Sequence, residues 1–194
     1  MRPEAEYCNP RGPVMMPPMS EIRCLCLDVD GVLTDGRLYV DDDGRTTRAF
    51  HIHDGLALRA FQQLGGVVVI CTGKRSGAVA ARARELEIEH VIQGSADKLA
   101  DLQAWLNEHS LRLEQVAAVG DDLPDLPVLQ RCGLPIAVAN AVDEVKAVAR
   151  YVTQRAGGNG AVREAVEYIL RASGRWNEAL AQFGVCIAVP EAAP

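Results

Sequence analysis

From Ile22 onward, short apolar runs alternate with amphipathic segments of helical period, and few folds other than a parallel sheet wrapped by helices accommodate that order. Strand-like runs fall at 22–27, 67–71, 90–92, 115–119, 135–139 and 151–153, with helical patterns at 55–64, 77–86, 97–109, 124–132, 142–149 and 161–171. Right-handed βαβ crossovers follow from this order. The expected fold is therefore α/β, with a doubly wound and mostly parallel sheet. Asp54 is read as the opening cap of the first helix, Gly65 as its stop and Ser76 as the cap before the second. One stretch breaks the alternation: 38–40 and 46–52 flank the turn Asp41-Asp42-Asp43-Gly44 and predict a β-hairpin inserted after the first strand, a flap of about residues 37–53.

At 194 residues, of which 48% are apolar, the chain has ample material for one core. Its net charge of −6 is spread among interleaved acids and bases with no basic stripe, which argues against a nucleic-acid partner. The longest apolar runs, such as Val67 to Cys71, are too short for a bilayer, and no signal-peptide core is visible at the N-terminus, so a cytoplasmic protein is expected. The six cysteines, at 8, 24, 26, 71, 132 and 186, form no CxxC pair and read as small buried hydrophobes. Residues 1–20, with five prolines, are expected to be a disordered leader, 21–174 the folded domain and 175–194 a C-terminal tail.

The chemistry is concentrated where apolar runs end. Asp28 to Gly36 reads DVDGVLTDG and places Asp28 and Asp30 two residues apart at the end of the first strand. Side chains at i and i+2 of an extended segment point the same way, and ligands of open α/β sheets bind beyond the carboxyl strand ends. The two carboxylates are thus expected to face one site. A calcium loop fails on spacing: counted from Asp28, the fifth position is Val32 and the twelfth Tyr39, where oxygen ligands are required.

Three further motifs end in groups suited to phosphate. In ICTGK, Ile70 to Lys74, the Thr72 hydroxyl and the adjacent amides can hold phosphate oxygens at a helix start, with Lys74 and Arg75 adding positive charge. Lys98 sits in the first turn of a helix, where its charge opposes the helix dipole, so it is a candidate partner for the nucleophilic carboxylate. In GDDLPD, Gly120 to Asp125, Asp121 can complete a magnesium site with Asp28 and the Asp30 backbone carbonyl, leaving Asp122 and Asp125 as supporting or capping residues.

In order and spacing, these motifs resemble the haloacid dehalogenase-like phosphatases over about 150 residues. The resemblance implies an aspartyl-phosphate formed on Asp28, Asp30 as acid and base, Thr72 and Lys98 holding the phosphoryl group, and Mg²⁺ held through Asp28, Asp30 and Asp121. Members of this superfamily usually carry an inserted cap domain, for which neither Gly36 to Gly66 nor Gly73 to Ala96 has room. A capless site would need a macromolecular substrate or closure by a neighbouring subunit.

The finer pattern, DVDGVLTDG, AFHIHDG (Ala49 to Gly55), GDDLPDLPVL, YVT and GGNGAVRE (Gly157 to Glu164), resembles the 3-deoxy-D-manno-octulosonate 8-phosphate phosphatase family across about 22–183. That resemblance implies a cytoplasmic homotetramer assembled through the hairpins, acting on a phosphorylated sugar acid for lipopolysaccharide synthesis. It further implies substrate contacts at Thr34, Asp35, His53, Asp54, Gly55, Gly73, Lys74, Arg75 and Arg163, with the loop of Gly157, Gly158 and Gly160 reaching a neighbour's pocket. His53, Lys74 and Asn159 stand where the family commonly carries other basic residues, chiefly arginine, which bears on recognition of a sugar carboxylate. A nine-carbon 9-phosphate is the nearest alternative substrate. A non-catalytic oligomerisation module is the alternative of a different class.

Overall fold

A computed structural model describes residues 18–185. Six parallel strands form one sheet in the order β5-β4-β1-β6-β7-β8, namely His90–Gln93, Val67–Thr72, Cys24–Leu27, Val116–Gly120, Leu134–Ala137 and Tyr151–Val152. The antiparallel hairpin β2–β3, Tyr39–Val40 with Thr46–Thr47, stands apart as a second small sheet, so the doubly wound fold with its flap is the one observed. Its ladder is only two residue pairs long, shorter than the predicted arms, and Ile52 already belongs to a helix. The leader lies outside the described residues except at its end, where Met19–Glu21 forms a 3-10 turn with Met19 packed on the core.

β1 is buried along its whole length because β4 and β6 flank it and helices cover both of its faces. Alternation along β4 separates those faces. Ile70 lies with Val79 of α2 (Gly77–Glu85), with Leu86 at the end of that helix and with Gly55 of α1 (Ile52–Gln63), whereas Cys71 lies with Val128 and Leu129 of α4 (Leu126–Leu129). α6 (Ala161–Ala172) packs on α1, and α3 (Lys98–Glu108) and α5 (Asp143–Val148) pack on α4. From β1 the chain moves to β4 and β5 on one side, then returns to β6 on the other. A crevice therefore opens beyond β1 and β6, where Asp28 and Asp121 emerge.

Three local differences from the sequence expectation have simple causes. α1 begins at Ile52 with His51 as its cap, the His51 ring accepting from the His53 amide at 3.3 Å, so Asp54 sits in the first turn and is free to bond elsewhere. The helix predicted over 124–132 is a 3-10 turn, Leu123–Asp125, followed by the single-turn α4, because Pro124 and Pro127 donate no amide hydrogens. Within the predicted tail, Trp176–Ala181 forms α7 on α6, where the guanidinium groups of Arg163 and Arg171 lie 5.4 and 4.8 Å from the Trp176 ring. The tail beyond residue 185 lies outside the described residues.

Cys24, Cys26, Cys71 and Cys132 are buried free thiols, while Cys8 and Cys186 fall outside the described residues. No described helix is long and apolar enough to cross a membrane.

Candidate active site

After Leu27 the chain leaves β1 and winds through one wide turn, in which the Thr34 amide donates to Val29 O at 3.0 Å. Asp30 and Gly31 depart from helical geometry inside that turn, and Gly31 takes φ 104°. A side chain at Gly31 would begin 2.0 Å from Asp121 Oδ2, so glycine is required for the β1 turn to meet the carboxylate following β6. Thr34 is buried inside the turn, where its hydroxyl donates to Val29 O and accepts from the Gly31 and Gly36 amides.

Asp28, Asp30, Thr72, Gly73, Lys74, Lys98 and Asp121 line one cavity of about 800 Å³. Lys98 reaches it from the start of α3, with Nζ 2.7 Å from Asp28 Oδ1 and 2.7 Å from Asp125 Oδ1. The other oxygen of Asp125 accepts from the Asp121 and Asp122 amides at 3.0 and 3.3 Å. Asp125 thereby fixes both the lysine and the loop bearing Asp121, a supporting and a capping part at once. Thr72 is buried at the end of β4, where its hydroxyl accepts from the Lys74 amide at 3.5 Å.

Electrostatically the cavity is divided. Burial, reinforced by the charge of Asp125, pushes Asp28 up to about 6 against the pull of Lys98. Burial and the neighbouring carboxylates of Asp28, Asp125 and Asp122 push Asp121 up to about 7. Burial alone would depress Lys98, but Asp28 and Asp125 carry it above the ordinary lysine value. Asp30 moves the other way, because the Arg48 guanidinium bonded to it stabilises the carboxylate.

The donor set fits a divalent cation. Carboxylate oxygens of Asp28, Asp121 and Asp125 lie within 4.8 Å of one another, and Asp121 Oδ1 is buried without a hydrogen-bond partner. Three acids this close repel one another, and a hard cation with oxygen ligands relieves that repulsion. Asp125 already binds Lys98 and two amides, so Asp28 and Asp121 have the free oxygens. The Asp30 carboxylate is engaged by Arg48 and Lys74, which leaves its carbonyl as the group it could offer.

The remaining predicted residues lie elsewhere within this chain. Asp35 accepts from the Arg37 amide and from Tyr39 OH on the flap side. His53 is exposed with its ring 4.9 Å from that of His51. Asp54 is buried and its Oδ1 accepts from the Arg163 amide at 2.7 Å, tying α1 to the first turn of α6. Gly55 packs under Arg82 and Leu86, and Arg75 lies over Gly94. The Arg163 side chain pairs with Glu167 and stacks on Trp176. The glycine loop sits on its own chain's turn: the Gly158 amide donates to Val32 O at 3.0 Å, and a Cβ at Gly157 would fall 1.7 Å from Gly31 O. Arg48, which the sequence pattern did not single out, bonds directly to Asp30.

A parallel sheet presenting a DxDG carboxylate on its central strand, a Thr-Gly at the next strand end, a lysine and a paired acidic loop defines a haloacid dehalogenase-like hydrolase, and a family profile of that description matches residues 77–165. The 3-deoxy-D-manno-octulosonate 8-phosphate phosphatase of Salmonella typhimurium is 41% identical over 174 residues, covering 90% of this chain and 93% of the relative. The solved phosphatase of the same name from Moraxella catarrhalis, in complex with magnesium, phosphate and a KDO molecule, superposes with a TM-score of 0.82 at 41% identity, covering 85% of this chain and 95% of that one. The Yersinia pestis structure gives 0.79 at 41% identity, covering 81% and 85%. The chain belongs to the 3-deoxy-D-manno-octulosonate 8-phosphate phosphatase family.

Proposed function

We propose that this chain hydrolyses 3-deoxy-D-manno-octulosonate 8-phosphate to the free sugar acid and inorganic phosphate, a step serving lipopolysaccharide synthesis. The observation that carries the reading is the bond of Lys98 to Asp28, set against Asp121 across a cavity at the sheet's switch point. Relatives of that name match along nearly the whole chain.

Asp28 has the free oxygen and the strand-end position of a nucleophile. Attack on phosphorus forms the Asp28–phosphoryl bond as the sugar oxygen departs, and water then cleaves that bond, so one difficult displacement becomes two easier ones. Asp30, an ionised carboxylate beside Arg48 in the free chain, takes up a proton from solvent, delivers it to the leaving alkoxide, and as a carboxylate then takes one from the attacking water. Lys98, the Thr72 hydroxyl and the Gly73 turn hold the equatorial oxygens of the phosphoryl group. Asp28, Asp121 and the Asp30 carbonyl would hold Mg²⁺, which supplies positive charge between nucleophile and phosphate.

The flap supports the assembly side of the proposal. Leu38, just before the flap's ladder, and Tyr39 and Val40 within it are 54%, 47% and 59% exposed, and a ladder two pairs long is marginal unless another subunit covers it. A cytoplasmic tetramer with flaps at its centre accounts for this exposure, and native mass spectrometry checks it.

The functional test is phosphate release from a panel of phosphorylated sugar acids, with and without EDTA, for the wild type and Asp28→Asn. Preference for the eight-carbon 8-phosphate, lost with EDTA and with the substitution, is expected. Preference for a nine-carbon 9-phosphate would move the substrate, and a chain inert towards every phosphate would leave the oligomerisation module as its role.

A further inference from the structure

Arg48 follows β3 by one residue and is the flap's firmest tie to the cavity. Its Nε and Nη2 lie 2.8 and 3.2 Å from the two oxygens of Asp30, and its Nη1 lies 3.1 Å from Ser76 Oγ at the start of α2. Only 5% of its side chain is exposed, against 59% for Lys74, the other cation near Asp30 at 3.5 Å. The Ser76 end of this chain of contacts is itself fixed, since the Ser76 amide donates to Gln93 Oε1 at 2.7 Å. An exposed hairpin thus delivers one buried guanidinium, clamped between the turn after β1 and the start of α2.

Two parallel N–H···O bonds from a planar fork set the plane of a carboxylate, which a flexible ammonium acting at one point does not do. Asp30 lies in a turn with non-helical φ/ψ, and among the described residues its carboxylate has no other side-chain donor apart from the more distant Lys74. We infer that Arg48 is the positioning residue for Asp30: it orients the carboxylate that handles the leaving-group proton, and so makes the seating of the flap a condition for that transfer. This rests on the phosphatase reading above and extends it to a residue outside the lining of the cavity.

The test compares kcat/KM for an alkyl phosphate, whose leaving oxygen needs a proton, with that for p-nitrophenyl phosphate, whose leaving group departs as a stable anion. Both values end at transfer to Asp28, so dephosphorylation does not enter. Arg48→Gln is expected to lower the alkyl value about 10- to 100-fold, the loss of orientation outweighing the easier protonation of Asp30, and the aryl value by less than about threefold. Arg48→Lys is expected to fall between wild type and Arg48→Gln on the alkyl substrate, and it carries the comparison should the glutamine variant fail to fold. Equal losses on both substrates, or none on the alkyl phosphate, would overturn the inference while leaving the phosphatase reading intact. A wild type inert towards both phosphates would end both.

Discussion

Lys98 and Asp28 meet at 2.7 Å although seventy positions separate them in the chain, and the same ammonium holds Asp125 at 2.7 Å on its other side. The lysine is buried, so it is held there by two anions whose own burial it offsets. Removing the lysine leaves two carboxylates uncompensated in the interior. Lys98→Ala is expected to cost about 3–5 kcal/mol in urea unfolding as well as abolishing turnover. An unchanged midpoint would mean that water reaches Asp28 and Asp125 freely.

Asp28→Asn separates chemistry from folding. The amide cannot form the phosphoryl ester, so turnover should fall about 10⁴-fold or more. Stability should not fall with it, because a raised carboxylate beside Asp121 is a source of repulsion. Parallel phosphate-release and thermal-unfolding measurements check the pair, and a folded variant with full activity would remove Asp28 from the mechanism.

The cation should declare itself through pH. In the folded chain Asp28 and Asp121 rise to about 6 and about 7 from an ordinary value of 3.8, so between roughly pH 4 and 7 the folded state binds more protons than the unfolded state. Their contribution to stability therefore falls as pH rises through that window. Mg²⁺, which needs both groups ionised, should restore the loss, with a larger rise in melting temperature near pH 8 than near pH 5. Asp121→Asn should raise the melting temperature in EDTA near pH 8 by a few degrees, about 2–4 °C, and flatten the response to Mg²⁺. Equal Mg²⁺ shifts at both pH values would contradict the assignment.

Asp54 distinguishes a structural from a substrate role. The resemblance placed it among substrate contacts, yet its carboxylate accepts from the Arg163 amide in the first turn of α6, well inside the protein. Asp54→Ala removes a cap supplied from α1 and should cost about 1–2 kcal/mol, reduced by relief of the carboxylate's own burial. KM for the sugar-acid phosphate should stay within about twofold of wild type, since no substrate contact is lost. A large rise in KM with unchanged stability would return Asp54 to the binding site.

The strand-end residues were legible in sequence because sheet topology converts position into proximity. Asp28, Thr72 and Asp121 each follow an apolar run, so placing the runs in one parallel sheet was enough to bring them together. Lys98 was legible through its conflict with the helix dipole. Arg48 was not, because an arginine after two threonines in a short hairpin has no periodicity that says where the hairpin lies. Asp125 was legible as a supporting or capping residue, and it does accept backbone amides, but the lysine 27 positions away that its other oxygen engages was not. Asp54 was misread as a cap of its own helix because His51 takes that part three residues earlier. For Arg48 and Asp125 the missing information was a tertiary partner, and for Asp54 a competing cap in the same helix start.

The glycine loop after β8 offers the sharpest test of how the turn beyond β1 is held. Gly157 lies so close to Gly31 that an added Cβ would sit 1.7 Å from Gly31 O, and the obstacle is backbone that no rotamer change can move. Gly157→Ala must therefore displace the turn, and with it the approach of Gly31 to Asp121 and the placement of Asp30. A shift near 1 Å at a reacting group can cost about 10²-fold in rate, so kcat should fall by that order. Gly174→Ala provides the control: it replaces a glycine with positive φ, at 72°, but nothing lies within 4 Å of the added Cβ, so the cost is backbone strain without displacement of a neighbour. It should lower stability by about 1 kcal/mol without touching kcat. If the two variants lose stability alike and both keep full kcat, the turn is positioned by β1 and Thr34 alone, and the loop is only a connection.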